Sequence, residues 1–341
     1  MSFQALFRRI HTSCLDRVRT SNAMFVSGRA CLLLLCFLGA ESTGDNVSLS
    51  SGALSTAFDE DRMRSFAELA GVAYCQPSLV DDWTCRNCGQ SGFEVESGKV
   101  RVMDNKSFWQ ENSTRVVVGK LKDVNSCFVS FRGSSDTANW ISDFLALQVG
   151  APDLPFPGCT GCYVHLGFWQ VWEAHVAGVK SALLDFGCGP TSSNGVIVMG
   201  HSMGAAAAHL AMYTLHQIGF HITEAYTFES PRVGNQAFVD AFENLFLGRI
   251  PMYRMTHNRD IVVHVPMAWL GYVHVRQEVF YNDTTSGATF HKLCDDASQE
   301  DVTCSWQYLW DNLDTHDHCN LPWVQAGNIC NCSHPAGDVL V

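Results

Sequence analysis

A serine near the middle of the chain carries the strongest chemical signal in the sequence. Ser202 lies in the segment Gly200-His201-Ser202-Met203-Gly204, between an apolar run and an alanine-rich stretch. This G-x-S-x-G spacing is typical of a sharp strand-to-helix turn that exposes a nucleophilic serine, and its glycines leave room for a strained serine backbone. The pattern predicts that Ser202 is a nucleophile for acyl transfer; the alternative is a glycine-rich loop that caps a helix.

A carboxylate downstream of Ser202 is needed to orient the base that activates the serine. In folds with this strand-to-helix turn, the partners follow in the order serine, acid, histidine. Asp260 is the favoured acid because it comes just past a predicted strand, at the sheet end where catalytic loops collect. The alternatives Asp240, Glu243 and Glu278 lie inside predicted helices or strands, where they are expected to be solvated surface residues.

The base must be a histidine that follows the acid in the sequence. The candidates are His264, His274, His291, His316 and His318. Position narrows the choice to the last two, because both fall in a polar loop between Leu313 and Leu321.

The segments around these residues alternate between helical and strand patterns. Helical spacing of apolar residues predicts helices over residues 61–73, 167–186 and 235–246, and the first is followed by a cysteine-bearing loop that extends to residue 98. Valine-rich and aromatic runs predict strands over residues 114–121, 127–131, 196–199, 224–228 and 250–256. Strands that alternate with helices predict an α/β fold with a largely parallel sheet covered on both faces, in one continuous domain over residues 61–335.

Composition limits the classes of protein to which the chain can belong. With 341 residues, 47% of them hydrophobic and 16% charged, the chain can bury one large core. The net charge of -12 and the lack of a basic block after residue 20 argue against a nucleic-acid partner.

The N-terminal residues indicate targeting rather than a folded element. Arg29 precedes an apolar run over residues 30–40, and polar residues follow. This run has the length of a signal-peptide core and is shorter than the roughly 20 residues of a membrane span. We therefore expect a signal peptide over residues 1–42, then a polar linker over residues 43–60. An over-extended N-terminus with a start at Met24, or a signal anchor, is the alternative.

The cysteines and glycosylation sequons agree with secretion. Fifteen cysteines are present, and removing Cys14, Cys31 and Cys36 with the leader leaves twelve, enough for six disulfides. Two C-x-x-C pairs, Cys85/Cys88 and Cys159/Cys162, could suggest zinc, but they lie about seventy residues apart, so disulfides are favoured. N-x-S/T sequons occur at Asn46, Asn105, Asn112, Asn282 and Asn331.

Six motifs, taken in order, resemble the fungal-type class 3 lipase family. They are Phe131-Arg132-Gly133-Ser134-Ser135, Asn139-Trp140-Ile141-Ser142-Asp143, Val164-His165-Leu166-Gly167-Phe168, the Gly200–Gly204 turn, Pro231-Arg232-Val233-Gly234-Asn235 and Asn258-Arg259-Asp260-Ile261-Val262. The resemblance extends over about residues 66–332. It implies an α/β-hydrolase fold, with a mostly parallel central sheet, helices on both faces and a short lid helix.

The resemblance also implies roles for residues near the serine. Ser134 resembles the residue that gives the oxyanion hole one backbone N–H, and Met203, directly after the nucleophile, would give the other. Residues 136–143 resemble the lid helix, with Asn139 and Asp143 in its motif and with Trp140 and Ile141 on its apolar side. The alternative is a surface helix whose tryptophan packs permanently into the core.

The resemblance favours one histidine and several cysteine pairs. Family members show an Asp-His dipeptide, which favours His318 over His316, although the tyrosine usual three residues later is absent here. The implied disulfides are Cys75 with Cys330 or Cys332, Cys85 with Cys88, and Cys294 with Cys304, with Cys159 and Cys162 as an additional candidate pair. Cys127 lies within a predicted core strand and is expected to be a buried free thiol.

These observations together predict a secreted serine esterase that acts on lipid carboxylic esters through an acyl-enzyme. A triacylglycerol lipase acting at an emulsion or membrane surface is the favoured identity, with no metal, no cofactor and no stable protein partner expected. The same fold hosts phospholipases A and feruloyl-type esterases, which are the alternatives. A non-catalytic lipid-binding protein is the alternative from a different class.

Overall fold

Ten strands and seven α-helices form the part of the chain that the computed structural model describes, which is residues 57–107, 110–134, 156–283, 289–295, 297–309, 313–325 and 327–332. The strands are β1 (Val95–Ser107), β2 (Gln110–Leu121), β3 (Ser126–Phe131), β4 (Gly195–His201), β5 (Ile222–Phe228), β6 (Gly234–Asn235), β7 (Met252–His257), β8 (Tyr272–Val273), β9 (Glu278–Asp283) and β10 (Thr289–Leu293). The helices are α1 (Glu60–Gly71), α2 (Pro77–Asp81), α3 (Arg86–Gln90), α4 (Leu166–Asp185), α5 (Met203–Gln217), α6 (Gln236–Phe246) and α7 (His316–Cys319). Short 3-10 helices occupy Val72–Tyr74, Val262–His264, Ala268–Leu270 and Ser305–Tyr308.

Eight of the strands form one sheet in the order β1-β2-β3-β4-β5-β7-β9-β10. Neighbouring strands from β3 to β9 run parallel, whereas β1 and β2 at one edge and β10 at the other pair antiparallel. Strands β6 and β8 form a separate antiparallel pair. The mostly parallel centre confirms the predicted α/β class.

Both faces of the sheet are covered, as the near-continuous apolar sequence of β4 shows. Val196 and Val198 point into a core that is shared with α4, α5 and α6. Ile197 and Met199 point into a second core that is shared with α1. Successive side chains of a strand alternate between its two faces, so a strand buried on both sides is apolar at nearly every position. The prediction of helices on both faces is confirmed.

Polar caps explain where the predicted helices begin. The Asp59 side chain accepts a hydrogen bond from the Arg62 N–H at the start of α1, and the Asn235 side chain accepts one from the Phe238 N–H at the start of α6. Each cap satisfies one of the backbone donors that a helix leaves unpaired at its N-terminus. The three predicted long helices are present, with ends within about three residues of the prediction.

The structure corrects the prediction of a cysteine-bearing loop that extends to residue 98. This region contains α2, α3 and the beginning of β1. Both helices have only five residues, too few to show a helical repeat, and Pro77 begins the first of them. Strand β1 was missed because it is a polar strand at the sheet edge, and β10 at the opposite edge was missed as well.

Six disulfides pair the twelve cysteines of residues 75–332. The pairs are Cys75–Cys332, Cys85–Cys88, Cys127–Cys188, Cys159–Cys162, Cys294–Cys304 and Cys319–Cys330. Of the two alternatives for Cys75, the pair with Cys330 is wrong, because Cys330 bonds Cys319 near the C-terminus.

The expectation that Cys127 is a free thiol is also wrong. Its side chain points from β3 into the core that α4 covers, where it meets Cys188 in the loop after that helix. A separation of 61 residues gives no local sequence signal for this pairing.

Several predictions fall outside the described residues. The signal peptide and most of the linker do so, and their boundaries remain predictions together with the domain limits. The same holds for the lid residues Asn139, Trp140, Ile141 and Asp143. Among the residues that the structure describes, no helix is both long and apolar enough to cross a membrane.

Candidate active site

Ser202 lies in a sharp turn between the end of β4 and the start of α5. Its backbone has φ 61° and ψ -134°, a left-handed conformation that a residue with a side chain rarely adopts. The two glycines are sterically required: a Cβ on Gly200 would lie 2.4 Å from the Gly204 carbonyl oxygen, and one on Gly204 would lie 2.3 Å from the Phe131 carbonyl oxygen. The Ser202 N–H donates to the Phe228 carbonyl at 2.9 Å, which ties the turn to β5.

Asp260 and His318 form a fully buried pair near the turn. His318 Nδ1 lies 2.7 Å from Asp260 Oδ2, and the Val262 N–H donates to Asp260 Oδ1 at 2.9 Å. Although burial alone would raise the pKa of Asp260, the positive field of His318 and the hydrogen bonds at the carboxylate hold that pKa below its usual value. Asp260 is therefore a carboxylate that holds the ring of His318 through Nδ1.

Ser202 Oγ and His318 Nε2 are buried and have no hydrogen-bond partner within the described ranges. The second is the ring nitrogen that Asp260 leaves open. An unpaired hydroxyl and an unpaired imidazole nitrogen are the two groups that must meet for a serine to be activated. In ligand-free sites this contact is often long and shortens only when substrate is bound.

The structure separates the two histidine candidates that the sequence left open. His318 is buried beside Asp260, whereas His316, two residues earlier, exposes 76% of its side-chain surface and faces Asp317. None of the other candidates is hydrogen-bonded to Asp260, and His264 is buried with both ring nitrogens unpaired in the described part of the chain. His274 Nε2 bonds the Val263 carbonyl, and His291 lies beside Glu60 on the outer strand β10.

The loop after β3 carries Ser134 and packs directly on the serine turn. A Cβ on Gly133 would lie 2.7 Å from the Cβ of Ser202 and 2.9 Å from the His201 carbonyl oxygen, so only glycine fits there. Ser134 follows this glycine and is buried. Met203 is the first residue of α5, and the N–H groups of a first helical turn have no acceptor within the helix. Ser134 thus follows the loop glycine that packs on Ser202, and Met203 follows Ser202 directly at the start of α5.

A hydrogen-bonded chain that the sequence did not indicate links this loop to His318. The Gly133 N–H donates to the Tyr74 hydroxyl oxygen at 3.0 Å, and Tyr74 Oη lies 2.6 Å from His201 Nδ1. His201 Nε2 lies 2.8 Å from the His318 carbonyl oxygen. Since a carbonyl can only accept, Nε2 carries the proton of His201, and Nδ1 accepts from the Tyr74 hydroxyl. Burial lowers the pKa of His201 to about 3, which keeps this ring neutral.

Glu229 is a second residue that the sequence analysis missed. It follows β5 directly, is completely buried and has φ 49°. Burial, followed by the nearby Asp260 carboxylate, raises the pKa of Glu229 well above its usual range. As a carboxylate that follows Ser202 in the chain, Glu229 could have been a candidate acid. It was not singled out because it precedes the PRVGN motif rather than belonging to it.

Two clusters of potential metal ligands occur among the described residues, namely Cys75, Cys85 and Cys332, and Cys294, Asp301 and Cys304. Each cysteine in them is part of a disulfide, so neither cluster offers a thiolate.

Comparisons with known proteins agree with this geometry. Residues 128–269 match the family model described as Lipase (class 3). The secreted mono- and diacylglycerol lipase A of Penicillium cyclopium is 32% identical over 202 residues, which cover 57% of this chain and 62% of that protein. The match thus spans less than two thirds of the relative's length.

Solved structures give the same result. A deletion variant of Rhizomucor miehei lipase in its propeptide complex superimposes with a TM-score of 0.63 at 26% identity, covering 81% of this chain and 82% of the other. A triacylglycerol lipase whose catalytic centre is described as a serine protease triad has a TM-score of 0.63 at 26% identity, covering 81% and 98%. The resemblance predicted from the six motifs is confirmed.

Proposed function

Because the chain resembles the class 3 lipases in motif order, sequence and fold, we propose that it is a secreted serine esterase that hydrolyses lipid carboxylic esters. The observation that carries the proposal is the buried Asp260–His318 pair, whose ring nitrogen Nε2 is open, together with the unpaired hydroxyl of Ser202, whose neighbour His201 bonds the His318 carbonyl. Six disulfides support the secretory route, since such bonds persist in oxidising compartments.

In the proposed mechanism, Ser202 Oγ attacks the acyl carbonyl carbon while His318 Nε2 takes its proton. Asp260 holds the His318 ring in the tautomer with the proton on Nδ1 and stabilises the imidazolium that forms. His318 then returns the proton to the departing alcohol. A water molecule, activated by the same histidine, attacks the acyl-enzyme and releases the fatty acid and free Ser202.

The oxyanion of each tetrahedral intermediate is assigned to the backbone N–H groups of Ser134 and Met203. The close packing of Gly133 on Ser202 supports this assignment, because it brings the loop of Ser134 to the nucleophile. Such donors act on charge that develops only in the transition state, and the loss of one typically slows the reaction by about a hundredfold or more. The Tyr74–His201 chain would keep this loop and His318 in a fixed relation.

Triacylglycerol is the favoured substrate, with the enzyme acting at an oil–water surface. The likeness to a triacylglycerol lipase and to a mono- and diacylglycerol lipase supports a glyceride ester. Trp269 and Leu270 support contact with lipid, because these neighbouring apolar side chains are exposed by 59% and 37%. Phospholipids, feruloyl esters and lipid binding without turnover are the competing outcomes of the test.

The test compares the purified protein with the Ser202→Ala variant on several substrates: emulsified triacylglycerol, diacylglycerol, phosphatidylcholine vesicles, methyl ferulate and a soluble short-chain ester. We expect the highest rate on a glyceride emulsion and a loss of about 10³-fold or more in the variant. Hydrolysis that persists in the variant would overturn the mechanism. Faster turnover of phosphatidylcholine or ferulate would replace the substrate, and binding with no turnover would favour the lipid-binding alternative.

A further inference from the structure

We propose that Glu229 is held in its protonated form and donates a hydrogen bond to the Asp260 carboxylate, so that it positions the acid of the proposed triad. The proposal rests on the function proposed above, because it assigns Glu229 a part in keeping Asp260 oriented towards His318.

The backbone places Glu229 between the nucleophile and the acid. The preceding residue, Phe228, accepts the hydrogen bond from the Ser202 N–H at 2.9 Å, and the Glu229 N–H donates to the Met255 carbonyl at 2.9 Å. Met255 belongs to β7, the strand that leads to Asp260. Glu229 is therefore fixed at the junction of the segments that carry the two residues, and no part of it reaches solvent.

The backbone conformation of Glu229 indicates that its side chain makes a specific interaction. A φ of 49° lies in the left-handed region, which glycine adopts freely and glutamate does not. The side chain also places a carboxyl group in a fully buried position, which is unfavourable without hydrogen-bonding partners. A glycine would avoid both costs, so a compensating interaction of the carboxyl group is expected.

The surrounding groups do not support a charged Glu229. Neither of its carboxylate oxygens meets a donor at hydrogen-bond geometry in the described part of the chain. The carboxylates of Asp260 and Asp317 add negative charge nearby. The backbone of His257 lowers the pKa of Glu229, but by less than burial and Asp260 raise it. A proton on Glu229 removes the repulsion and creates a donor.

The proton belongs to Glu229 rather than to Asp260. The two carboxyl groups lie close enough for each to shift the pKa of the other, and a hydrogen bond between them would need one proton. Asp260 already accepts from His318 and from the Val262 N–H, and these interactions favour its charged form. Glu229 would thus be a third donor to Asp260, and it would lower the tendency of Asp260 to take the proton from His318 Nδ1.

This arrangement gives a sign for the effect of pH. Because the pKa of Glu229 is raised in the folded protein, the folded state binds this proton more tightly than the unfolded state. The contribution to stability is complete below the ordinary glutamate pKa and is lost as pH rises through the raised value. Ionisation of Glu229 would also repel Asp260, so activity should fall on the alkaline side.

Three variants separate positioning from packing. Glu229→Gln keeps a donor without a titrating proton, Glu229→Met keeps the length without a donor, and Glu229→Gly relaxes the backbone. We expect kcat of the Met and Gly variants to fall by about tenfold or more with little change in KM, whereas Gln keeps most of the activity at neutral pH and loses the alkaline decline. Glu173→Gln, at an exposed position on α4, is the control for the change of formal charge.

Equal rates for the Gln and Met variants, or an alkaline decline that persists unchanged in Gln, would overturn the proposal. If the Met variant does not fold, the comparison of the wild type with Gln decides alone. The infrared carbonyl band of a protonated carboxyl, present in the wild type at neutral pH and absent in Glu229→Gln, gives a readout that needs no activity. Its absence from the wild type would contradict the protonated Glu229, even in a protein that hydrolyses no ester.

Discussion

The proposed nucleophile and the proposed base are held by two different kinds of structure. Ser202 is fixed by backbone contacts within and directly beside its own turn, where two glycines allow atoms to approach without side chains. His318 lies on the four-residue helix α7, which is held by the Cys319–Cys330 disulfide, by Asp260 and by His201. The turn of Ser202 can thus be recognised from five consecutive residues, whereas the partners that hold His318 are distant in the sequence.

The largest difference in activity is expected between variants of the two histidines on α7, His316 and His318. His318→Ala should lower kcat/KM by about 10³-fold or more, because no other described residue offers an open imidazole held by Asp260. His316→Ala, two residues away on the surface, should stay within about twofold of the wild type. Initial rates on a soluble ester measure both, and a greater loss in His316→Ala would contradict the assignment.

The turn that carries Ser202 should be destabilised by a steric clash rather than by the loss of hydrogen bonds. In Gly204→Ala, the new methyl group would lie 2.3 Å from the Phe131 carbonyl oxygen, which is backbone and cannot move aside cheaply. We expect the free energy of unfolding to fall by about 3 kcal/mol or more, above the usual range for overpacking.

Gly89→Ala is the control for this change, because a Cβ there meets nothing within 4 Å on a short helix. It should be neutral or slightly stabilising in denaturant titration. Equal stability of the two variants would contradict the steric account of the turn.

Loss of the disulfide beside His318 should lower catalytic activity more than loss of a disulfide in another loop. The variant with Cys319→Ser and Cys330→Ser removes a bond that closes 11 residues beside His318, and the variant with Cys294→Ser and Cys304→Ser removes one that closes 10 residues. Both should lose about 2–3 kcal/mol of stability, since the loops are nearly equal in length. Only the first should also lower kcat, by about tenfold, at temperatures where both proteins are folded. Equal kcat values would show that the disulfide does not position the base.

The hydrogen-bonded link between the Ser202 turn and the His318 segment can be tested by removing one hydroxyl group. Tyr74→Phe removes the hydroxyl that bonds both the Gly133 N–H and His201 Nδ1. We expect stability to fall by about 1–2 kcal/mol, because a buried donor and a buried acceptor lose their partner, and kcat to fall by a few-fold. Tyr163→Phe, at an exposed position, is the control and should change neither quantity. A Tyr74→Phe variant with wild-type kcat would mean that the two regions are positioned independently.

The same contrast explains what the sequence could and could not predict. Local patterns were sufficient for the Ser202 turn, for the apolar central strands and for helices with polar caps. Asp260 was predicted from its place after a strand. The choice between His316 and His318 needed an outside resemblance, because a two-residue shift in a polar loop leaves no periodic signal.

Residues that act through distant partners were missed. The Cys127–Cys188 bond joins a strand to a loop 61 residues later, and Tyr74 reaches His201 across 127 residues. Glu229 was missed for a different reason: a carboxyl group is usually exposed, and only the three-dimensional placement beside Asp260 shows that it is buried. Polar edge strands such as β1 were missed because one of their faces is solvated, so their apolar pattern is weak.

The central claim is that Ser202, His318 and Asp260 act as one unit. It is tested most directly by reacting the protein with an organophosphate that labels activated serines, and then locating the modified residue by mass spectrometry. The account predicts one label per molecule on Ser202, none in Ser202→Ala, and labelling slowed by about 10³-fold in His318→Ala but unchanged in His316→Ala. A label on another serine, or labelling of Ser202 at the wild-type rate in His318→Ala, would contradict it.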